Sequence, residues 1–280
     1  MLVADSPVTD SYARLTEVLP GLAVTEVRPG DALPAGDGWT GAAELAAGGP
    51  ALEAFLAWDE AQVLRDYGQR ARPDVVASFG LHRYAWPACL LITVPWFLHR
   101  RVPRYPTSHV AYDRTAPGLP LGRLAVRPAG FACLPGDPAA ALPGARVVPD
   151  EDALRAEVRA AVAEHLEPVL AGFGPRMRRR GRALWGMATD EVVEGLWYVA
   201  HLLGEPERER ARHELELLLP GATKPYVGAA AFRELTGPDG EPVHTRDRAS
   251  CCMFYTVRPE DTCATCPRTC DTNRAALPVR

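Results

Sequence analysis

Residues 251–270 read Cys251-Cys252-Met253-Phe254-Tyr255-Thr256-Val257-Arg258-Pro259-Glu260-Asp261-Thr262-Cys263-Ala264-Thr265-Cys266-Pro267-Arg268-Thr269-Cys270. Five of the seven cysteines fall in this stretch, as a vicinal pair followed after ten residues by Cys-x-x-Cys, with one more behind. Four thiolates gathered this closely read first as a metal site. The spacer between Cys263 and Cys266 lets one tight turn aim both sulfurs at one metal. Cys251 and Cys252 are adjacent and would face opposite sides of a regular strand, so the backbone must bend there. The residues between the pairs are expected to form a short strand, Met253 to Val257, and a turn through Arg258-Pro259-Glu260-Asp261 that returns the chain to the first pair.

The donor set alone leaves several metals open. A 2Fe-2S cluster takes four thiolates, two on each iron. A structural zinc takes four around one ion. A 4Fe-4S cluster using Cys270 is a third reading, because Cys263-x2-Cys266-x3-Cys270 partly matches a ferredoxin run, although Pro267 follows the second cysteine of the run and not the last. Cys270 is otherwise a spare thiol near a frayed terminus, or a fifth candidate ligand. A disulfide framework belongs to oxidising compartments. Met1 to Pro7 has neither a basic n-region nor an apolar h-region, which sets the expectation of a cytoplasmic protein with reduced thiols.

The spacing resembles that of the ferric iron reductase FhuF-like family, which carries Cys-Cys-x10-Cys-x2-Cys near its C-terminus. The pattern falls on Cys251, Cys252, Cys263 and Cys266 without a gap. Phe254 and Tyr255 and the approach Arg246-Asp247-Arg248-Ala249-Ser250 are also similar to that family. A looser likeness reaches upstream to about residue 50, through helical segments around Trp58, Trp185 and Trp197. The resemblance implies a 2Fe-2S cluster on those four cysteines and the activity of a ferric-siderophore reductase. An external donor, such as a reduced ferredoxin or a flavoprotein, would supply one electron, which passes to Fe(III) held in a siderophore. Siderophore oxygens are hard and often anionic and hold Fe(III) far better than Fe(II), so one electron releases the iron. Arg246 and Arg248, just before the ligands, are the first candidates for the chelate-facing surface; Arg100 and Arg101 are the second. The runner-up reading is a 2Fe-2S electron-transfer protein serving another oxidoreductase. A non-redox chelate-binding protein with a structural zinc is the third.

Composition bounds the rest. The chain has 280 residues and is 47% hydrophobic, enough for a substantial core in one or two domains. With 31 basic and 35 acidic residues and a net charge of −4, it lacks the footprint of a nucleic-acid binder. The longest mostly apolar run, Ala85 to Leu98, contains Pro87 and Pro95 and is shorter than the about 20 residues of a spanning helix. There is no Gly-x-Gly-x-x-Gly after a strand, no P-loop, no Gly-x-Ser-x-Gly and no His-Glu-x-x-His. The cysteine segment is therefore the one redox centre visible in the sequence, and electrons must come from elsewhere.

Periodicity predicts an α+β fold, with several helices packed on a small, mostly antiparallel sheet and the cysteine segment on one edge. Residues 1–49 are expected to be an N-terminal extension (a short helix over 8–18, a strand from Leu22 to Val27) and a Gly/Pro-rich loop, all part of the same domain. Residues 50–245 form the α+β scaffold and siderophore-binding region. Residues 246–280 form the cluster-binding segment, too short to fold alone. Helices are predicted over Leu52–Tyr67, from Val75 to before Pro87 (capped by Asp74, carrying His82 and Arg83), over Asp150–Leu170, over Leu184–Leu203 with its tryptophans inward, and from Pro206 to Leu219. Cys89 and Cys133 read as small core residues. A hairpin over 232–246 leads into the cysteines. The densest positive patch, Arg176-Met177-Arg178-Arg179-Arg180-Gly181-Arg182, is either a solvated loop or a contact for an acidic redox partner or an anionic siderophore.

Overall fold

The computed structural model describes residues 6–28, 30–221, 223–260, 262–263 and 265–275. Along the chain these form α1 (Thr9–Val18), β1 (Leu22–Glu26), β2 (Trp39–Gly41), α2 (Ala42–Ala47), α3 (Pro50–Tyr67), α4 (Pro73–His99), β3 (Arg101–Pro103), β4 (Val110–Asp113), β5 (Gly122–Val126), β6 (Phe131–Cys133), β7 (Ala145–Val147), α5 (Glu151–Met177), α6 (Gly181–Leu203), α7 (Glu205–Leu218), β8 (Phe232–Thr236), β9 (Pro242–Arg246) and α8 (Asp271–Ala275). The fold is α+β. The strands make three small sheets, ordered β1-β5-β4-β2, β3-β6-β7 and β8-β9. The β1–β5 and β6–β7 ladders are parallel and the other four are antiparallel.

Helix α4 runs through the middle. The sequence predicts an end before Pro87, yet the helix continues for 27 residues through Pro87 and Pro95. A proline inside a helix leaves the carbonyl four residues back without its donor. For Pro95 that carbonyl is Leu91, and the buried Tyr12 hydroxyl of α1 donates to it at 2.8 Å. Burial supplies the rest, since nearly every residue from Val75 to Phe97 is buried. By length and composition α4 is apolar enough to cross a membrane, but 83% of its most apolar window is covered by the fold, as in a core helix. It packs mainly on α5 and α6.

Helix α5 starts as predicted, with the Asp150 carboxylate accepting from Ala153 N at 2.8 Å. It does not stop at Gly172 or Gly174 but reaches Met177. Gly172 serves a close approach instead. A Cβ there would stand 2.4 Å from the Leu45 carbonyl oxygen, so α2 lies backbone-to-backbone on α5. The Gly/Pro-rich stretch after residue 29 is thus not all loop. Its Ala-Ala-Glu-Leu-Ala-Ala run forms α2, where Glu44 accepts the Gly41 N–H at 2.7 Å and Gly48 closes the helix at φ +69.

Cys89 and Cys133 are buried, as expected of small core residues. One large core joins α1, α4, α5, α6 and α7. A separate small cluster, Val63, Val75, Phe79 and Val257 with Tyr67, Met253 and Phe254 against it, fastens the cysteine segment to α3 and the start of α4.

Candidate metal centre and adjoining cleft

Helix α6 carries three carboxylates that organise the approach to the cysteines. Asp190 and Glu191 are buried, at 0% and 2% exposure, and Glu194 follows one turn later. Asp190 Oδ1 accepts from Arg246 Nη2 at 2.8 Å and from Ala249 N at 2.9 Å; its Oδ2 accepts from Ser250 N and Oγ, both at 2.9 Å. Glu194 Oε1 accepts from Arg246 Nη1 at 3.0 Å and from the Thr265 hydroxyl at 2.8 Å. One helical turn therefore grips the chain before Cys251 and the turn between Cys263 and Cys266. Gly186 lets α6 come this close, since a Cβ there would meet the Ala249 carbonyl at 3.2 Å.

The cysteine segment is tied down carbonyl by carbonyl. Arg179 Nη2 donates to Cys251 O at 2.8 Å, Ser78 Oγ to Cys252 O at 3.1 Å, and Arg274 Nη2 to Cys266 O at 3.0 Å. Gln69 holds Val257 O. The strand expected from Met253 to Val257 is not formed. Met253 takes a left-handed conformation at φ +67, and a 3-10 turn spans Phe254–Thr256. The reversal seats Phe254 against Tyr67, with ring centroids 5.7 Å apart, and against Phe79 at 6.2 Å. The last residue of the turn expected at 258–261 lies outside the described residues.

The bend brings the two cysteine pairs together. The Cys252 and Cys263 thiols are neighbours, and Cys266 N donates to Cys263 O at 3.0 Å. The Cys263 thiol, with the Phe254 N–H and the charges of Arg248 and His82, pulls the Cys252 thiol down to about 6, and the same pairing with burial pushes Cys263 up. Burial raises Cys251, against the Met253 N–H that points at its sulfur from 3.4 Å. Cys270 is exposed and stands at the start of α8, where its carbonyl accepts from Arg274 N at 2.9 Å. Among the described residues no three His, Cys, Asp or Glu side chains converge on a single ion position. A 2Fe-2S group asks only two thiolates of each iron. Two thiol pairs, backbone N–H groups aimed at sulfur and a neighbouring arginine suit it.

Cys252 and Cys263 stand in the wall of a cleft of about 940 Å³. That is the upper end of the range for ligand clefts, about 300–1,000 Å³. The ring-bearing wall includes Trp58, Tyr67, Trp86, Trp197 and Tyr198. Arg83, Arg114, Arg208, Arg248 and Arg258 line it too, with Glu194 as the one carboxylate among the described lining residues. The cations are braced from behind or below. Asp59, wholly buried, holds Arg83 and Arg114, the latter at 2.8 Å. Arg114 lies 4.1 Å above the Trp58 ring, and Arg208 lies 5.9 Å above Trp197. His82 also faces the cleft, its Nδ1 2.8 Å from both Glu191 oxygens. Burial opposes the charged imidazolium there, but Glu191 outweighs it and raises the His82 pKa.

Residues 248–268 match the family model of the FhuF 2Fe-2S C-terminal domain. The matched span contains both cysteine pairs and ends before Cys270. Comparison with curated proteins gives no match.

The fold divides the four arginines expected at the chelate face. Arg248 lines the cleft, with its side chain 6% exposed and 3.4 Å from Glu194. Arg246 has no exposed surface and joins Asp190 and Glu194 to Ala230 O. Arg100 and Arg101 stand outside the cleft. Arg100 bridges Glu214 and Glu151. Arg101 clamps Asp137 at 2.8 Å and Pro7 O at 2.7 Å. Asp190, Glu191 and Glu194 are absent from the residues singled out in the sequence, and Trp197 packs on the core as expected while also lining the cleft. The one signal for the carboxylates was three acids within five residues of an otherwise apolar helix.

Proposed function

We propose that this chain is a ferric-siderophore reductase, with Cys251, Cys252, Cys263 and Cys266 holding a 2Fe-2S cluster and Cys270 left out of the ligand set. The observation that carries the reading is the large aromatic and arginine-lined cleft that has two of those cysteines in its wall. An electron-transfer protein that only relays to a partner needs an exposed edge at its cluster, not a cleft of ligand size.

When bound, the cluster supplies one-electron chemistry at a potential set by charge, hydrogen bonds and solvent exposure. The chain's own residues do the remainder. Trp58, Trp197 and Tyr198 offer ring faces to the organic arms of the chelate and displace water. Arg83, Arg114 and Arg208 offset the negative charge of its oxygen ligands. Arg248 sits at the junction, lining the cleft while its charge acts on Cys252. Fe(III) is the substrate; Fe(II) leaves because the hard oxygen donors bind it less tightly. The siderophore and the external donor, a ferredoxin or a flavoprotein, are the partners this requires, and a cytoplasmic site of action goes with it. The segment 246–280 and the scaffold before it act as one unit, since α6 carboxylates and α3–α4 side chains hold the cysteines in place.

Metal analysis and visible absorption of anaerobically purified protein test the premise. Brown protein with about two irons per chain agrees with it. Colourless protein carrying zinc sinks it, and the zinc-containing chelate binder would then be the better reading.

A further inference from the structure

The cleft takes up only part of the cysteine segment. Cys252 and Cys263 are in its wall, while Cys251 is outside it, half-buried beside the turn that joins α5 to α6. That turn is the arginine run of residues 176–182. Between Glu167 and Asp190 the chain holds five arginines and no acid, although its net charge is −4. Arg176, Arg178, Arg180 and Arg182 are exposed, and the half-buried Arg179 is the residue bonded to the Cys251 carbonyl at 2.8 Å. Arg176 pairs with Glu53. Among the described residues, Arg178, Arg180 and Arg182 form no ion pair. Met177 is buried and Arg178 turns the chain at φ +53, and Arg178, Arg180 and Arg182 are left on the surface as an exposed positive ridge. Arg72, paired with Asp74 at 3.1 Å, and Arg178 line one hollow of about 240 Å³. The N-terminus of α6 adds its positive dipole end at the same place.

A concentrated positive field on an acidic protein steers a negatively charged partner and orients it. The electron must enter close to the cysteines, because transfer slows steeply with distance, and a chelate filling the cleft blocks that approach. We infer that the ridge formed by Arg178, Arg180 and Arg182 is the docking surface for an acidic one-electron carrier protein of ferredoxin type, which delivers its electron beside Cys251 while the ferric chelate occupies the cleft. This rests on the reading of the cysteines as a cluster site. One electron leaves the carrier, which is oxidised by one, and chelated iron is reduced by one; no bond or proton changes hands at the ridge.

The test uses the full cluster-loaded protein, an acidic 2Fe-2S ferredoxin as probe, and the variant Arg178→Glu/Arg180→Glu/Arg182→Glu. Binding is followed by surface plasmon resonance from low to high salt, and cluster reduction by loss of visible absorbance. We expect wild-type association to slow with salt and the variant to associate at least about tenfold more slowly at low salt. Its oxidised spectrum and its reduction by dithionite should match wild type. The milder Arg178→Gln/Arg180→Gln/Arg182→Gln should fall between the two. Wild-type association by the charge-reversed protein overturns the inference. So does an equal loss with ferredoxin and dithionite, which would put the arginines in the site itself. Neither readout needs Fe(II) release, so a failure of the reductase reading shows separately.

Discussion

Asp190 Oδ1 and Arg246 Nη2 meet at 2.8 Å with neither side chain exposed to solvent. The same carboxylate accepts from the backbone of Ala249 and Ser250, so one side chain on α6 sets the direction in which the chain arrives at Cys251. Removing one partner of a buried ion pair leaves the other charged and costs about 3–5 kcal/mol. Asp190→Ala should therefore lower unfolding stability by about that amount in urea titrations. It should also purify with less than half the wild-type iron. Wild-type iron content and stability would show that the grip is dispensable.

The ligand assignment separates Cys266 from Cys270. Cys263→Ser and Cys266→Ser should each abolish or alter the visible spectrum. Cys270→Ser, at an exposed thiol, should leave both spectrum and iron content as in wild type. If Cys270→Ser bleaches the protein and Cys266→Ser does not, the four-ligand set is wrong.

Binding in the cleft can be measured without electron transfer by using Ga(III) siderophores, which are not reduced. Trp58→Leu and Arg208→Gln should each weaken binding about tenfold, the loss of roughly 1.4 kcal/mol of contact, with the cluster spectrum unchanged. Arg101→Gln should leave the affinity alone, because Arg101 is committed to Asp137 and Pro7. An affinity that responds to Arg101 and ignores Trp58 would move the chelate out of the cleft.

On α7, the buried Glu214 joins the buried Arg155 and the partly buried Arg100. Burial alone would raise its pKa from the usual 4.5; the two arginines hold it lower. A carboxylate with a depressed folded pKa contributes stability that is complete above the unfolded value and is lost as pH falls through the folded one. Glu214→Gln should cost about 3 kcal/mol at pH 7, and the gap to wild type should narrow below about pH 4.5. A gap that stays constant down to pH 3 would mean the carboxylate charge is not what stabilises this cluster.

The cysteine pairs were legible because metal ligation fixes residue type and spacing together. Helices α6 and α7 were legible from their apolar stripes and their glycine and proline boundaries. The course of α4 was not, because the hydroxyl that takes the carbonyl orphaned by Pro95 comes from Tyr12, 79 residues earlier than Leu91. Nor was α2, whose Ala-rich run is embedded among glycines and prolines that mark a loop. The carboxylate ledge was hidden for a related reason. Asp190 and Arg246 lie 56 residues apart, and no local period shows that an acid in an apolar helix has a partner. Trp58 and Trp197 carry the same helical spacing whether they face a core or a cleft. Periodicity places His82 on a helix, and only the fold places Glu191 behind it. The strand expected after Cys252 failed because Met253 turns the chain to seat Phe254, a packing demand that β-propensity does not encode.

The measurement closest to the central claim is a single turnover. Protein reduced anaerobically, freed of reductant and mixed with a ferric siderophore is followed at once by the return of its visible absorbance and by capture of Fe(II) with a chromogenic chelator. The account predicts reoxidation well above the rate in buffer alone, with one Fe(II) released for each electron the protein held. Reduced protein that no ferric chelate reoxidises faster than buffer would contradict it.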